Sequence, residues 1–302
     1  MGSTVLAILD IEKTSPILHE VPNWFEDWEQ VLSRFRIDSE LSRLNASAGN
    51  ARVVGSTMQS VLAAGLEAEE LTGGLVNPLI LEDLVRAGYD RTFDLLQQEH
   101  LPERSGWVGP WRTPAMDPLP ALSSIISDDT RGTVCVPPGM GLDFGGVAKG
   151  WAAHEAAQRL AAAGPALVSA GGDIAVSGPL ASGDPWLIEV QDPFGSGNYL
   201  ELIHLENGGV ATSGKDHRYW MRGGVFQHHI IDPRTRLPAT TDILAATVVA
   251  STVMRAGALA KALLVSGSEE GLSLLEAHGD AEAFLVLDDG RQLYSRDFEK
   301  YL

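Results

Sequence analysis

The chain has 302 residues, of which 40 are acidic and 22 are basic, so its formal net charge is −18 with neutral histidines. This balance argues against nucleic acid as a partner, because two polyanions repel each other. Hydrophobic residues make up 44% of the chain, which excludes a disordered acidic segment and predicts a globular protein. A single cysteine, Cys135, cannot form an internal disulfide. The apolar stretches are too short for a membrane span, and we expect a cytoplasmic protein.

Hydrophobic periodicity predicts a strand over residues 5–9 and helices over 22–36, 56–71 and 78–87. Residues 91–119 contain several prolines and show no hydrophobic periodicity, and we interpret them as a surface excursion. The strands predicted after this point cover 123–126, 133–136, 166–177, 186–191, 199–205 and 245–250, with hairpins turning at 223–224 and 288–290. The later predicted helices cover 147–163, 252–265 and 269–278. Because no regular βαβ repeat links these elements, we predict an α+β fold and one domain over 1–302.

A glycine-rich segment, DFGGVAKG at residues 143–150, runs from a turn into a predicted helix. Its backbone amides and the helix N-terminus could hold an anion, and Lys149 supplies a cation beside them. A tight turn that needs glycine only for its backbone angles explains the same residues. The spacing fits neither of the common nucleotide-binding glycine motifs, so this segment alone does not identify a ligand.

Three further segments carry polar groups that suit a phosphate ligand or a proton transfer. The segment GGDI at 171–174 ends a strand in a carboxylate, which either binds a ligand or caps a turn. The segment ATSG at 211–214 predicts a hydroxyl-rich loop that offers donors to phosphate oxygens. In HHIID at 228–232 the two histidines point to opposite faces of a strand, so only one of them can face a given site. This alternation argues against zinc, and the lack of a G-x-S-x-G motif argues against a serine hydrolase.

Taken in order, the four segments resemble the motifs of the ApbE family of FAD:protein FMN transferases. The resemblance extends upstream to GLVNP at 74–78, to FRIDSELSRLN at 35–45 and to the first three residues, and it covers about residues 1–268. The family implies an α+β fold of T-fold type with mixed sheets and packed helices. It also implies that FAD binds in a cleft, and that FMN is transferred to a threonine or serine hydroxyl of an acceptor protein with the help of magnesium.

The resemblance further implies roles for individual residues. His229 matches the family histidine and is the candidate base for the acceptor hydroxyl. The carbonyl of Gly146 is placed near the metal. The residues placed at the FAD site are Met1, Phe35, Leu75, Val76, Asn77, Asp143, Lys149, Asp173, Thr212, Ser213 and Ile230.

The chain departs from the family pattern in AGALAKAL at 256–263, where the family carries A-D-A-L-A-T-A-L. Gly257 replaces the magnesium-binding aspartate, and Lys261 replaces the accompanying threonine. Magnesium needs oxygen ligands, so we expect the usual metal site to be absent. The two positions share one helix face, and we expect Lys261 to point into the cleft and act in catalysis as a substitute cation. In smaller departures, Asn77 replaces an aspartate and Arg236 replaces a glycine.

We therefore predict a protein that binds FAD and transfers FMN to a protein hydroxyl. Two alternatives remain open. One is a catalytically silent FAD-binding module, which the substituted metal positions favour. The other is an FAD pyrophosphatase that releases FMN and AMP, which would need a metal as much as the transferase does.

Overall fold

The computed structural model describes residues 3–13, 15–98, 117–128 and 130–302. Two sequence-based assignments lie outside these residues. They are the role of Met1 and the central part of the predicted excursion, 99–116.

The helices of the described residues are α1 (Val21–Leu32), α2 (Glu40–Ala46), α3 (Ser56–Leu71), α4 (Leu81–Ala87), α5 (Phe93–Gln98), α6 (Ala148–Ala161), α7 (Val253–Ser266) and α8 (Ser268–Glu276). None of them is both long enough and apolar enough to cross a bilayer. The strands are β1 (Val5–Leu9), β2 (Arg52–Val53), β3 (Ile126–Asp128), β4 (Thr133–Cys135), β5 (Ala166–Ala170), β6 (Asp173–Ser177), β7 (Trp186–Gln191), β8 (Tyr199–Leu205), β9 (Gly208–Gly214), β10 (Tyr219–Arg222), β11 (Val225–His228), β12 (Ile231–Asp232), β13 (Leu237–Pro238), β14 (Ile243–Ala250), β15 (Ala281–Leu287) and β16 (Gln292–Tyr294).

The central sheet has seven strands in the order β1-β5-β6-β9-β14-β15-β16. Every strand pair in the described residues is antiparallel. The predicted α+β class is confirmed, but the expected mixture of parallel and antiparallel pairs is not found. Hairpins such as β5–β6 and β15–β16 reverse the chain between neighbouring strands, which makes their pairing antiparallel.

The central sheet is covered on both faces, as the burial of β14 shows. Val248 packs in a cluster with Leu259 of α7, while its neighbour Val249 packs with Ile188 of β7. Successive side chains of a strand point to opposite faces, so the helices and the β7–β8 ribbon lie on opposite sides of the sheet. α6 contacts β5 and β6, and α7 contacts β9 and β14, so these helices form the layer that supports the candidate site.

Several predicted boundaries agree with the structure, and the bounds of α3, β7 and β8 are those predicted. The helix predicted over 22–36 ends at Leu32, because Ser33 takes an extended backbone conformation. The strand predicted over 123–126 is instead a short 3-10 turn followed by β3.

Three local interpretations of the sequence were incomplete. Residues 93–98 form α5, whose Leu96 is buried, although they were assigned to an aperiodic excursion. The helix α2 was not predicted; the Ser39 side chain caps it by accepting a hydrogen bond from Ser42 N at 2.9 Å. The ATSG segment belongs to β9 rather than to a loop, because its backbone pairs with β14.

Candidate functional site

A cavity of about 260 Å³ lies between the end of α1, the glycine-rich turn, the end of β9 and one face of α7. The sequence-predicted residues that line it are Phe35, Leu75, Val76, Asn77, Asp143, Gly146, Lys149, Thr212, Ser213, His229, Ile230 and Lys261. Asp173 and Gly257 lie behind this wall and contact Lys149 and Lys261, respectively. Segments that are far apart in the chain therefore converge on one cavity.

The glycine-rich turn satisfies several of its own amide groups. Gly145 N donates to Asp143 Oδ1 at 2.7 Å, and Ala148 N donates to the Phe144 carbonyl oxygen at 2.7 Å. The sequence leaves open whether these amides hold an anion or only form a tight turn, and in the structure these two are bonded within the turn. Attraction of an anion at this segment therefore depends chiefly on the side chain of Lys149.

Arg34 is a cavity residue that sequence reasoning missed. Its guanidinium forms an ion pair with Asp143, and its Nη2 donates to the Tyr89 carbonyl oxygen at 2.8 Å. The guanidinium carbon lies 4.1 Å from the ring centroid of Phe35 and 4.6 Å from that of Tyr89, within range of a cation–π contact. A signal was present in the sequence, since Arg34 is the first basic residue after the acidic stretch of the first amphipathic helix.

Lys149 lies in the first turn of α6, and its Nζ is 3.5 Å from Asp173 Oδ2. Asp173 is buried and opens β6 directly after a tight turn. In that turn Gly171 and Gly172 have φ angles of 62° and 94°, both in the left-handed region that favours glycine. The paired glycines therefore serve the hairpin, and the acid that follows them holds the lysine at the cavity wall.

Thr212 and Ser213 lie on β9. Thr212 pairs with Thr247 across β9 and β14, and the two hydroxyl oxygens are 2.8 Å apart. Ser213 is buried, whereas Thr212 is exposed to the cavity. Strand pairing thus orients the Thr212 hydroxyl, for which the sequence predicts a hydroxyl-rich loop.

The two adjacent histidines face different compartments, as predicted, but not by alternation within one strand, because β11 ends at His228 and His229 lies in the bend before β12. His229 lines the cavity, and His228 lines a separate groove. The Nδ1 atom of His229 is 3.3 Å from the Arg218 carbonyl oxygen. A carbonyl only accepts hydrogen bonds, so Nδ1 carries the proton and Nε2 keeps its lone pair. Burial, followed by the charges of Arg218 and Lys149, lowers the pKa of His229 well below its usual value, and the ring is neutral near pH 7.

Arg218 is a second cavity cation that sequence reasoning missed. It lines the cavity, and its Nη2 donates to Ser3 Oγ at 3.2 Å. Its signal was its position shortly after the ATSG segment. Arg218 therefore orients His229 through its backbone and adds positive charge through its side chain.

Lys261 extends from α7 into the cavity, which is the predicted orientation. Its Nζ donates to the Gly257 carbonyl oxygen at 3.0 Å. A methyl group added to Gly257 would lie 3.6 Å from Nζ, and one added to Gly146 would lie 3.4 Å from Cε. The lysine side chain therefore occupies the space between these two glycines. Burial lowers the pKa of Lys261 to about 8, with Asp173 opposing the shift and Lys149 adding to it.

The residues at this point do not fit the magnesium site that the family resemblance implies. Gly257 has no side chain, and Lys261 places a positive ammonium group where a divalent ion would need oxygen ligands. The Asp173 carboxylate is paired with Lys149. In the part of the chain that the structure describes, no group of three or more His, Cys, Asp or Glu side chains could hold a metal ion. We therefore assign no step to a metal.

Asn77 lines the cavity, but its amide group is engaged inside the fold. Its Oδ1 accepts from Leu79 N at 2.9 Å, and its Nδ2 donates to Glu69 Oε1 at 3.1 Å and to the Pro120 carbonyl oxygen at 3.0 Å. Two acceptors face the nitrogen, so this position requires a donor. An ionised aspartate has none, which explains why the chain carries asparagine here.

Asn77→Asp is expected to lower the free energy of unfolding by about 1–3 kcal/mol at pH 7, because a buried carboxylate would face the acceptors on Glu69 and Pro120. The loss should shrink at low pH, where the new carboxyl is protonated and can donate. Urea denaturation at pH 7 and pH 5 measures both effects. The matched control is Asn207→Asp, because the exposed Asn207 only accepts a hydrogen bond, from Gly178 N. Equal stability of the two variants at pH 7 would contradict this account.

Comparison with known proteins places these features in a family. The ApbE family matches residues 1–285. A protein of Treponema pallidum (strain Nichols) named FAD:protein FMN transferase is 32% identical over 289 residues, which cover 91% of this chain and 78% of the relative. A protein of the same name from Vibrio cholerae serotype O1 is 29% identical over 292 residues, which cover 94% of this chain and 84% of the relative.

Solved structures agree with these sequence relationships. The ApbE protein of Thermotoga maritima superposes with a TM-score of 0.82 at 26% identity, over 99% of this chain and 96% of that structure. The apo form of the flavinyl transferase ApbE of Pseudomonas stutzeri gives a TM-score of 0.80 at 26% identity, over 100% of this chain and 94% of that structure.

Proposed function

The chain belongs to the ApbE family, and we propose that it is an FAD:protein FMN transferase. In this proposal FAD binds in the cavity, and the acceptor is a threonine or serine hydroxyl of another protein. FAD and the acceptor protein are substrates, so the residues of the chain must bind both of them and move one proton.

The observation that carries the proposal is the placement of a neutral histidine beside cationic side chains. Lys149, Arg218 and Lys261 line the same cavity as His229. The pyrophosphate of FAD is a dianion, so these cations would bind its oxygens and offset the charge that develops during phosphoryl transfer. Because the whole chain has a formal net charge of −18, the attraction of an anion to this cavity depends on its cationic lining.

Apolar groups that line the same cavity suit the flavin ring. The Phe35 ring lies beside the Arg34 guanidinium, and Phe35 as a residue is 38% exposed. We assign to Phe35 a stacking contact with the isoalloxazine, and to Leu75, Val76 and Ile230 further apolar contacts with it.

In the proposed reaction the acceptor hydroxyl oxygen attacks the phosphorus on the riboflavin side of the pyrophosphate. A new phosphorus–oxygen bond to the acceptor forms, the bond to the bridging oxygen breaks, and AMP leaves with that oxygen. His229 Nε2 accepts the hydroxyl proton. The residues of the chain need only position the reactants and neutralise charge, and Lys261 supplies in this scheme the cation that magnesium supplies in the family pattern.

The test is incubation of the protein with FAD and a panel of threonine- and serine-containing peptides, followed by mass measurement of the peptides and chromatography of the nucleotides. A peptide that gains FMN while AMP is released in equal amount supports the proposal. FAD binding without any turnover would instead identify a silent module. Release of FMN and AMP without peptide modification would identify a pyrophosphatase.

His229→Gln is expected to lower the transfer rate by about 10²–10⁴-fold, because it removes the general base. FAD affinity should change little, since Lys149, Arg218 and Lys261 remain in place. Burial lowers the pKa of His229, so protonation of this base should slow the natural protein only below pH 6.5, whereas between pH 8 and pH 7 the rate should rise as Lys261 becomes charged. Single-turnover transfer measured from pH 5 to 8 checks the profile.

The exposed His204 on β8 provides the control, since His204→Gln should leave both the rate and the pH profile unchanged. An acid limb centred at the usual histidine pKa, or a His229→Gln protein of full activity, would contradict the assignment of the base.

A further inference from the structure

A second concave surface lies beside the cavity, on the outer side of the β10–β11 hairpin. It is an open groove of about 640 Å³. We call it the aromatic groove and define it by Phe194, Lys215, Asp216, Tyr219, Phe226 and His228. The reaction scheme above uses none of these residues.

The groove exposes stacked aromatic rings. The rings of Tyr219 and Phe226 have centroids 5.3 Å apart and an interplanar angle of 25°. Their exposed fractions are 50% and 47%, and that of Phe194, which also lines the groove, is 57%. Contiguous exposed apolar surface of this kind marks an interaction site, and aromatic residues are enriched at such sites.

Of the charged groups of the groove, Lys215 is paired within the protein and the Asp216 carboxylate is largely buried. Lys215 Nζ lies 2.8 Å from Asp288 Oδ2 and donates to the Thr241 carbonyl oxygen at 2.7 Å. Asp216 Oδ2 lies 3.2 Å from Nε2 of the exposed His217, and Asp216 Oδ1 is buried without a hydrogen-bond partner, so neither oxygen is presented to a partner in the groove. A charged partner would have to displace these contacts, whereas an apolar partner would only cover the aromatic rings. The groove therefore favours apolar side chains.

Neighbouring residues of the same two chain segments line the groove and the cavity. His217 and Arg218 line the cavity, while the flanking Asp216 and Tyr219 line the groove. Likewise His229 lines the cavity and His228 lines the groove. The His228 ring centroid lies 6.1 Å from that of Phe226, and His228 directly precedes His229, so residues that flank an acceptor hydroxyl at His229 would lie near the aromatic rings.

We propose that the aromatic groove binds apolar residues flanking the acceptor threonine or serine of the acceptor protein while its hydroxyl enters the cavity. This inference rests on the proposed function and deepens it, because it states the chemistry by which the acceptor is selected. The occupant is a segment of the acceptor protein with apolar side chains beside the modified residue.

The test uses two synthetic peptides of equal length with one central threonine. Leucine and valine flank the threonine in the first peptide, and glycine and glutamine flank it in the second. With the natural protein, kcat/KM for FMN transfer should be at least about 10-fold higher for the apolar peptide, as expected for burial of apolar side chains against aromatic rings. Phe226→Glu should remove this preference while FAD binding, followed by flavin fluorescence, stays unchanged.

Two further variants complete the design. Phe194→Ser removes another exposed aromatic ring that lines the groove and should reduce the same preference. Ile126→Glu is the matched control, because Ile126 is 71% exposed on β3 and lines neither the cavity nor the groove. Sedimentation of each variant tests whether a second copy of this chain occupies the groove instead.

Failure of this inference is distinguishable from failure of the proposed function. Equal transfer to both peptides, or a preference that survives Phe226→Glu and Phe194→Ser, would overturn the groove assignment while transfer itself stands. A dimer of the natural protein that Phe226→Glu dissociates would also overturn it. If neither peptide is modified, fluorescence anisotropy of the labelled peptides with FAD-loaded protein still tests the groove. Tighter binding of the apolar peptide, abolished by Phe226→Glu, supports the groove assignment. Equal binding of the two peptides refutes it.

Discussion

Replacing Lys261 with methionine is expected to lower FMN transfer about 100-fold and, at the same time, to make the protein more stable at pH 7. The loss of rate follows from the removal of a cation that lines the cavity beside Lys149 and His229. Methionine has a similar length and no charge, so it should keep the packing between Gly257 and Gly146. Single-turnover transfer and urea denaturation of the same preparations measure the two effects.

The gain in stability follows from the burial of the ammonium group. The pKa of Lys261 falls to about 8 in the folded protein, below its usual value, so the unfolded chain binds more protons between these two values. Stability should therefore rise with pH across this interval, and the charged lysine should cost folding energy below it. Allowing for its partial exposure, we expect Lys261→Met to stabilise the protein by about 1–2 kcal/mol at pH 7. The gain should vanish above pH 10.5, where the lysine is neutral in both states.

The control for charge alone is Lys13→Met, at an exposed lysine outside the cavity, which should change neither property. The double variant Gly257→Asp with Lys261→Thr restores the family residues at both positions, and its transfer should become dependent on magnesium. Gly257→Asp alone should not, because the new carboxylate would lie beside the Lys261 ammonium and pair with it. Chelator-sensitive transfer by the natural protein, restored by magnesium, would contradict the role given to Lys261.

Asp83→Ala is expected to destabilise the protein by about 3–5 kcal/mol, because it leaves a largely buried guanidinium without its partner. The Asp83 side chain is fully buried on α4, and both of its oxygens accept from Arg236 Nε, at 3.1 and 3.0 Å. Arg86 contacts the same carboxylate. This ion pair ties α4 to the β12–β13 hairpin, which follows His229 and contributes Ile231 to the cavity wall. Urea denaturation at pH 7 measures the loss.

Arg236→Gly separates the ion pair from backbone strain at the same site. Arg236 has a φ of 61°, the left-handed region, and glycine would relieve a strain of about 1 kcal/mol there. The net loss should therefore be smaller than for Asp83→Ala, at about 1–3 kcal/mol. Asp289→Ala removes the exposed pair with Arg291 and should cost less than about 1 kcal/mol. If Arg236→Gly were more stable than the natural protein, strain rather than pairing would dominate at this position.

The sequence by itself determined the features that depend on neighbours along the chain. Hydrophobic periodicity defined α3, β7 and β8, because burial of one face requires only a repeating pattern. The sequence also predicted that His228 and His229 would face different sides, which the structure shows although His229 lies just beyond the end of β11. The four motifs, taken in order, identified the family, because each is a short run of neighbouring residues that can be recognised without knowledge of the fold.

Only the tertiary structure decided which side chains meet. Arg34 and Asp143 are far apart in the chain, so their ion pair depends on how α1 packs beside the glycine-rich turn. Asn77 resembled a lost charge in the sequence, but Glu69 and Pro120 show that its position demands a donor. Residues 211–214, for which the sequence predicts a loop, belong to a strand because their backbone pairs with β14. Hydrogen bonds and ion pairs between distant segments form only when the whole core is packed, and periodicity carries no information about such partners.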